Sequence, residues 1–154
     1  MRVSTRGDYA CRALVSLALR ADDSVPTSVR DIADRTGLPQ PYLEQILLAL
    51  KGAGLVRSKR GVGGGYVLAR CPGEITLAQI VSAVDGPIVL GDFGEPHEAG
   101  ACDHEGQCVL LAIWADAGER MRRLLGATTL TDVVAIANGR APWPPVDEST
   151  SAEL

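Results

Sequence analysis

The chain has 154 residues, 46% of them hydrophobic, and 15 basic against 19 acidic side chains give a net charge of -4. That length holds one compact domain and an appendage, and no apolar run approaches the roughly 20 residues a bilayer span requires. With no continuous apolar signal core at the start, the expectation is a cytoplasmic, nucleoid-associated protein with no membrane partner, whose four cysteines are reduced thiols, metal ligands or redox sensors rather than a disulfide framework.

Segment 5–21 repeats Tyr9, Ala13, Leu14, Leu17 and Ala18 on one stripe, which predicts a helix packed on a core. Thr5 followed by Asp8 resembles a capping box at its start, and Asp22-Asp23-Ser24 breaks the pattern. A shorter helix is expected from Thr27 or Ser28, burying Val29, Ile32 and Ala33 and ending at Gly37. Segment 41–50 then places Leu43, Ile46, Leu47 and Leu50 at i, i+3, i+4 and i+7, so one face is apolar and the other is left for a partner. Pro41 suits the first turn, where a missing N–H costs nothing.

Gly54 stops this helix, and segments 55–60 and 66–70 read as two strands of a hairpin turning through Gly61-Val62-Gly63-Gly64-Gly65. Two helices with a short turn, followed by a basic hairpin, predict a winged helix-turn-helix lying on double-stranded DNA. Charge supports this once the chain is divided. Residues 1–70 hold 11 Lys or Arg against 6 Asp or Glu, net +5, and residues 71–154 hold 4 against 13, net -9, which together give -4. A basic front and an acidic rear orient a molecule towards a polyanion.

Gln40, Tyr42, Glu44 and Gln45 are expected near base edges, and Arg57, Lys59 and Arg60 at phosphates or the minor groove. Ser28, Gly64 and Tyr66 complete the candidate DNA-binding set. Glu44 suits either acceptance from a cytosine amine or the orientation of a neighbouring Arg or Lys. The glycines at the tip lack the Lys-Ser/Thr ending and the helix of a P-loop. No motif sets a nucleophile beside a base, so an enzyme is not expected, and Cys11 and Cys71 read as small buried side chains.

Beyond the hairpin, Thr76 is expected to cap a helix carrying Leu77, Ile80, Val81 and Val84 and ended by Gly86-Pro87. An irregular loop follows. A long helix from about Cys108 to Leu125 then carries Leu110, Ile113, Trp114, Ala117, Met121, Leu124 and Leu125 on a stripe broad enough to predict pairing with a second copy of the chain. A last helix is expected over 129–137, closed by Asn138-Gly139. The fold class is therefore mainly α: a winged helix-turn-helix with a two-stranded β wing and a long C-terminal dimerisation helix. The expected organisation is a DNA-binding domain at 1–86, a ligand loop at 87–107, dimerisation and terminal helices at 108–139, and a disordered tail at 140–154.

The loop gathers both histidines and two cysteines, His97, Cys102, His104 and Cys108, within twelve residues. Thiolate and imidazole are ligands for iron and zinc. The spacing is irregular for a zinc finger, whereas an iron–sulfur cluster tolerates wider spacing.

Tyr42-Leu43-Glu44-Gln45, Gly54-Leu55-Val56, Arg60-Gly61, Gly63-Gly64-Gly65-Tyr66, Val84-Asp85, Cys108 six residues before Trp114, and Thr129-Leu130 together resemble the bacterial winged-helix regulators of the IscR and NsrR type, over residues 1–138. The resemblance implies a homodimer on a palindromic promoter site, with an iron–sulfur cluster controlling DNA affinity. Members with a cluster bring three loop cysteines, the last two separated by five residues, and Cys102 and Cys108 match those two. The place of the first holds Asp92 or Phe93, and a histidine used by some members beyond the last cysteine is Leu111 here. Replacement ligands would be His97, His104 and Asp8, the last resembling an acidic residue given by the other subunit, and such mixed ligation suits a 2Fe-2S centre better than a 4Fe-4S one. Two alternatives stand beside this: a cluster-free regulator responding through Cys102 and Cys108 or through a protein partner, and a zinc-binding adaptor whose winged helix contacts protein.

Overall fold

The computed structural model describes residues 4–20, 25–89 and 107–143. Its elements run α1 (Thr5–Ala18), α2 (Val29–Thr36), α3 (Gln40–Gly52), β1 (Val56–Lys59), β2 (Gly65–Leu68), α4 (Leu77–Asp85), α5 (Gln107–Ala127) and α6 (Leu130–Ala137), with a single 3-10 turn at Pro72–Glu74 before α4. A mostly helical body with one two-stranded sheet is the predicted winged-helix class. The strands pair antiparallel, Val56 opposite Leu68 and Lys59 opposite Gly65.

Helix α1 is the hub, touching α2, α3, α4, α6 and β2. Its Ala10, Ala13 and Leu14 are fully buried, as are Leu43, Ile46, Leu47 and Leu50 of α3, Ile32 of α2, Ile80 of α4 and Leu130 of α6, all in one core cluster. The stripe read from segment 41–50 thus marks the buried face of α3, and Leu48, between those positions, is 60% exposed.

The helix starts follow capping chemistry. Ser28 accepts from the Asp31 amide at α2, and Thr76 and Gln79 form a reciprocal capping box at α4. At α1 the cap is Ser4 rather than the expected Thr5: its hydroxyl accepts from the Gly7 amide and donates to Asp85 at 2.6 Å, while Asp8 pairs with Arg12 at 2.8 Å. Thr5 is already helical, so its side chain has no orphan amide within reach.

Thr129 caps α6 with Asp132, and two backbone bonds, Leu77 N–H to Thr128 and Leu130 N–H to Ile75, lace the starts of α4 and α6 together. The C-terminal helix is in this way drawn back onto the same core as the N-terminal one. Helix α5 leans on α4 and leaves Val109, Leu110, Ile113, Trp114 and Leu124 exposed. The expected tail from residue 140 lies for the most part outside the described residues, and Ala141, Pro142 and Trp143 line a hollow with Leu124 and Ile136.

Ile46→Ala should cost about 2–5 kcal/mol, because a fully buried side chain leaves a cavity that closes only in part. Leu48→Ala should change stability by less than about 0.5 kcal/mol. Urea midpoints of the two variants against the parent check both.

Candidate nucleic-acid interface and ligand residues

Because α3 turns Leu43, Ile46, Leu47 and Leu50 inwards, Gln40, Tyr42, Glu44 and Gln45 are left exposed in its first two turns. Gln40 donates its amide to Glu44 at 3.2 Å. Among the described residues the hydrogen-bond partner of Glu44 is thus Gln40, one turn earlier. Tyr42 meets Tyr9 of α1 edge to face, with ring centroids 5.7 Å apart and planes at 86°, the favoured aromatic geometry.

The wing presents Arg57, Lys59 and Arg60 to solvent. Two contacts fix it to the helices. Lys51, at the end of α3, donates its ammonium to the Ser58 hydroxyl at 2.7 Å. Thr27 and Tyr66 exchange both backbone bonds, at 2.9 and 2.8 Å, so the chain before α2 runs as a one-residue third strand beside β2. Thr27 is fully buried and its hydroxyl accepts from Arg20 at 2.9 Å.

Two glycines are sterically required there. A Cβ on Gly65 would lie 2.2 Å from the Thr27 carbonyl oxygen, and one on Gly64 would lie 2.4 Å from that of Lys59. Of the candidate set, Ser28, Gly64 and Tyr66 thus have structural work: Ser28 caps α2, Gly64 closes the tip, and Tyr66 holds the bridge while its half-buried side chain packs on the core. Thr27, Lys51 and Ser58 were missed in the sequence, which carries no periodic signal for a one-residue bridge or a single cross-element contact.

Of the expected ligands, His97, Cys102 and His104 lie outside the described residues. Cys108 stands in the first turn of α5, and the Asp8 carboxylate is 47% exposed in the first turn of α1. Among the described residues no three His, Cys, Asp or Glu side chains converge on one point. Cys71 is exposed, which corrects its reading as a buried side chain: it precedes the 3-10 turn at Pro72, where the chain passes over the surface. Cys11 is half-buried, and burial first, then the carboxylates of Asp8 and Asp85, pushes its thiol up from 9.0 to about 11.

A three-helix body, an exposed polar face on its third helix and a cationic hairpin beside that face define a winged-helix regulator of transcription. The chain belongs to the Rrf2 family, described as iron-dependent transcriptional regulators, whose profile matches residues 3–136. It is 37% identical over 134 residues to the HTH-type transcriptional regulator IscR of Xenorhabdus nematophila, covering 87% of this chain and 79% of that one. The IscR of Klebsiella pneumoniae is 36% identical over 134 residues, covering 87% and 80%. Among solved structures, T. potens IscR superposes with a TM-score of 0.70 at 30% identity, covering 100% of this chain and 94% of that one. CymR (YrzC), the global cysteine regulator of B. subtilis, superposes with a TM-score of 0.73 at 34% identity, covering 88% and 98%. The family resemblance read from the sequence is borne out, and a family of transcriptional regulators agrees with the expectation that the chain is not an enzyme. None of the described helices is long and apolar enough to cross a membrane.

Gly64→Ala should open the wing tip, seen as faster hydrogen exchange of β1 and β2 amides with helical circular dichroism unchanged. At about pH 8 iodoacetamide should label Cys71 and spare Cys11, because the thiolate is the nucleophile. The folded state holds the Cys11 proton that the unfolded chain releases, so this group's contribution to stability is full below pH 9.0 and is lost as pH rises through about 11. Equal labelling of both thiols in the native protein would contradict the assignment.

Proposed function

We propose that the chain is a homodimeric regulator that binds a palindromic promoter site through α3 and the wing, with DNA affinity set by an iron–sulfur cluster, 2Fe-2S in preference to 4Fe-4S. The observation that carries the DNA reading is the joint exposure of Gln40, Tyr42, Glu44 and Gln45 beside Arg57, Lys59 and Arg60, on a helix whose other face is fully buried. Base edges fall to the α3 group and phosphates to the wing cations. The apolar side chains exposed on α5, Val109, Leu110, Ile113 and Leu124, support pairing of two copies. The proposed organisation keeps 1–86 for DNA, 87–107 for the ligand loop and 108–139 for pairing and the terminal helix.

For the cluster, the donor chemistry fits: Cys102 and Cys108 supply thiolates, His97 and His104 imidazoles, and Asp8 of the partner subunit a half-exposed carboxylate. When bound, such a group supplies a centre sensitive to redox state and nitric oxide. The chain's own part is positional. Asp8 lies one residue from Tyr9, which touches Tyr42 at the start of α3, so a pull on Asp8 bears on the recognition helix. The spacing of two recognition helices must match half-site spacing, so a small rotation changes affinity.

The likeness to CymR, together with the absent first loop cysteine, favours as the second reading a cluster-free regulator acting through Cys102 and Cys108 or a protein partner. Family membership leaves the zinc-binding adaptor without support. Anaerobic purification separates the two regulators: iron, sulfide and visible absorbance, changed in Asp8→Ala, are expected, and protein lacking all three while still shifting its own upstream DNA is the cluster-free regulator. Arg60→Ala should weaken binding to all sequences alike and lower the salt slope by about 1. A loss confined to one base-pair position would instead make Arg60 a base reader.

A further inference from the structure

Leu48 is 60% exposed on α3, a helix whose Leu43, Ile46, Leu47 and Leu50 are fully buried. At about 100° per residue those four share one side of the helix, and Leu48 stands roughly opposite their centre, angularly between Glu44 and Gln45 and one turn further on. A single exposed leucine is ordinary on a face that meets only water. This one shares its face with Glu44 and Gln45, both exposed, so whatever meets that pair covers Leu48 as well. The far end of α3 does not turn away from such a partner. Lys51, three residues on, donates to Ser58 of β1, whose sequence neighbours Arg57 and Lys59 are exposed cations. Leu48 thus lies between the polar group of α3 and the basic wing.

We infer that Leu48 is a specificity-determining residue that packs on the C5-methyl group of a thymine in the major groove of double-stranded DNA. The inference rests on the proposed DNA reading of α3 and the wing, and goes beyond it by assigning a base. Lys51 and the wing cations beside Leu48 favour a polyanion as the partner over an apolar protein face. Base edges in the major groove are mostly hydrogen-bond donors and acceptors, and a leucine laid over one of them leaves it unpaired and out of water, at a cost. The thymine methyl is the apolar group that the groove offers, and it tells thymine from the other three bases.

Uracil in place of thymine removes only that methyl and keeps every hydrogen-bonding atom. The full-length chain, purified anaerobically, first selects a duplex from a random-sequence pool, and the thymines of that duplex are then exchanged one at a time for uracil. The expected result is a loss of about fourfold in affinity for each contacted methyl, the worth of one such group withdrawn from water. That loss should vanish in Leu48→Ala, which binds both duplexes equally, and persist in Gln45→Ala. A selected duplex bound equally well with uracil at every position overturns the inference and leaves the DNA reading intact. A loss that survives Leu48→Ala, or disappears in Gln45→Ala, overturns it too. So does a change of oligomeric state in Leu48→Ala, measured by sedimentation, since the leucine would then serve a contact between copies. Failure to select any duplex overturns the DNA reading and this inference together.

Discussion

Burial of one face of α3 against α1 is the constraint from which the rest of the surface follows. Leu43, Ile46, Leu47 and Leu50 are fully buried, and each is worth about 1.5–3 kcal/mol on leaving water. With those four fixed, helical geometry leaves no choice for Gln40, Glu44 and Gln45, which must face outwards. The wing is held by weaker means. Beyond the buried Val56 and Leu68, it depends on four ladder pairs, the Thr27–Tyr66 bridge and the Lys51–Ser58 bond, each hydrogen bond contributing on the order of 1 kcal/mol net. Helix α3 is thus the more firmly held member and the wing the less firmly held one.

That division explains where glycine is needed. The wing can be anchored only if β2 passes close to the chain before α2, and the approach at Gly65 is too tight for any side chain. The anchor in turn fixes Tyr66, whose half-buried side chain joins the core from the sheet side. Tyr66, counted in the sequence among the residues facing DNA, holds the hairpin down so that Arg57 and Lys59 keep their place beside α3.

Legibility in the sequence followed the length scale of the signal. The stripes in α1, α3 and α4, the cap at Thr76 and the helix starts near Ser28 and Thr129 were readable, because each depends on residues within a turn or two. Ser4 was missed as the cap of α1 because Thr5 and Asp8 offer the same pattern one position later; what distinguishes Ser4 is its bond to Asp85, 81 residues away. The exposure of Cys71 was hidden for a related reason: its neighbours Leu68 and Ile75 are buried, but the turn at Pro72 carries the intervening chain outwards. Of the candidate ligands only Asp8 and the position of Cys108 could be compared with the fold, and nothing in residue spacing brings them together within one chain.

The start of α1 ties these strands together. Within its first turns, Ser4 bonds the end of α4, Asp8 holds Arg12, Cys11 rests near both Asp8 and Asp85, and Tyr9 meets the first turn of α3. None of these contacts is strong alone: an exposed ion pair contributes about 0–1 kcal/mol and an aromatic pair about 0.5–1.5 kcal/mol. Small energies suit the proposed regulator, since a ligand can shift a conformational equilibrium only by its differential affinity for the two states. The deeply buried face of α3 could not be moved by such sums. The few contacts at the start of α1 can be, and one of them, Tyr9 on Tyr42, ends on the first turn of the helix that presents Gln40, Tyr42 and Glu44.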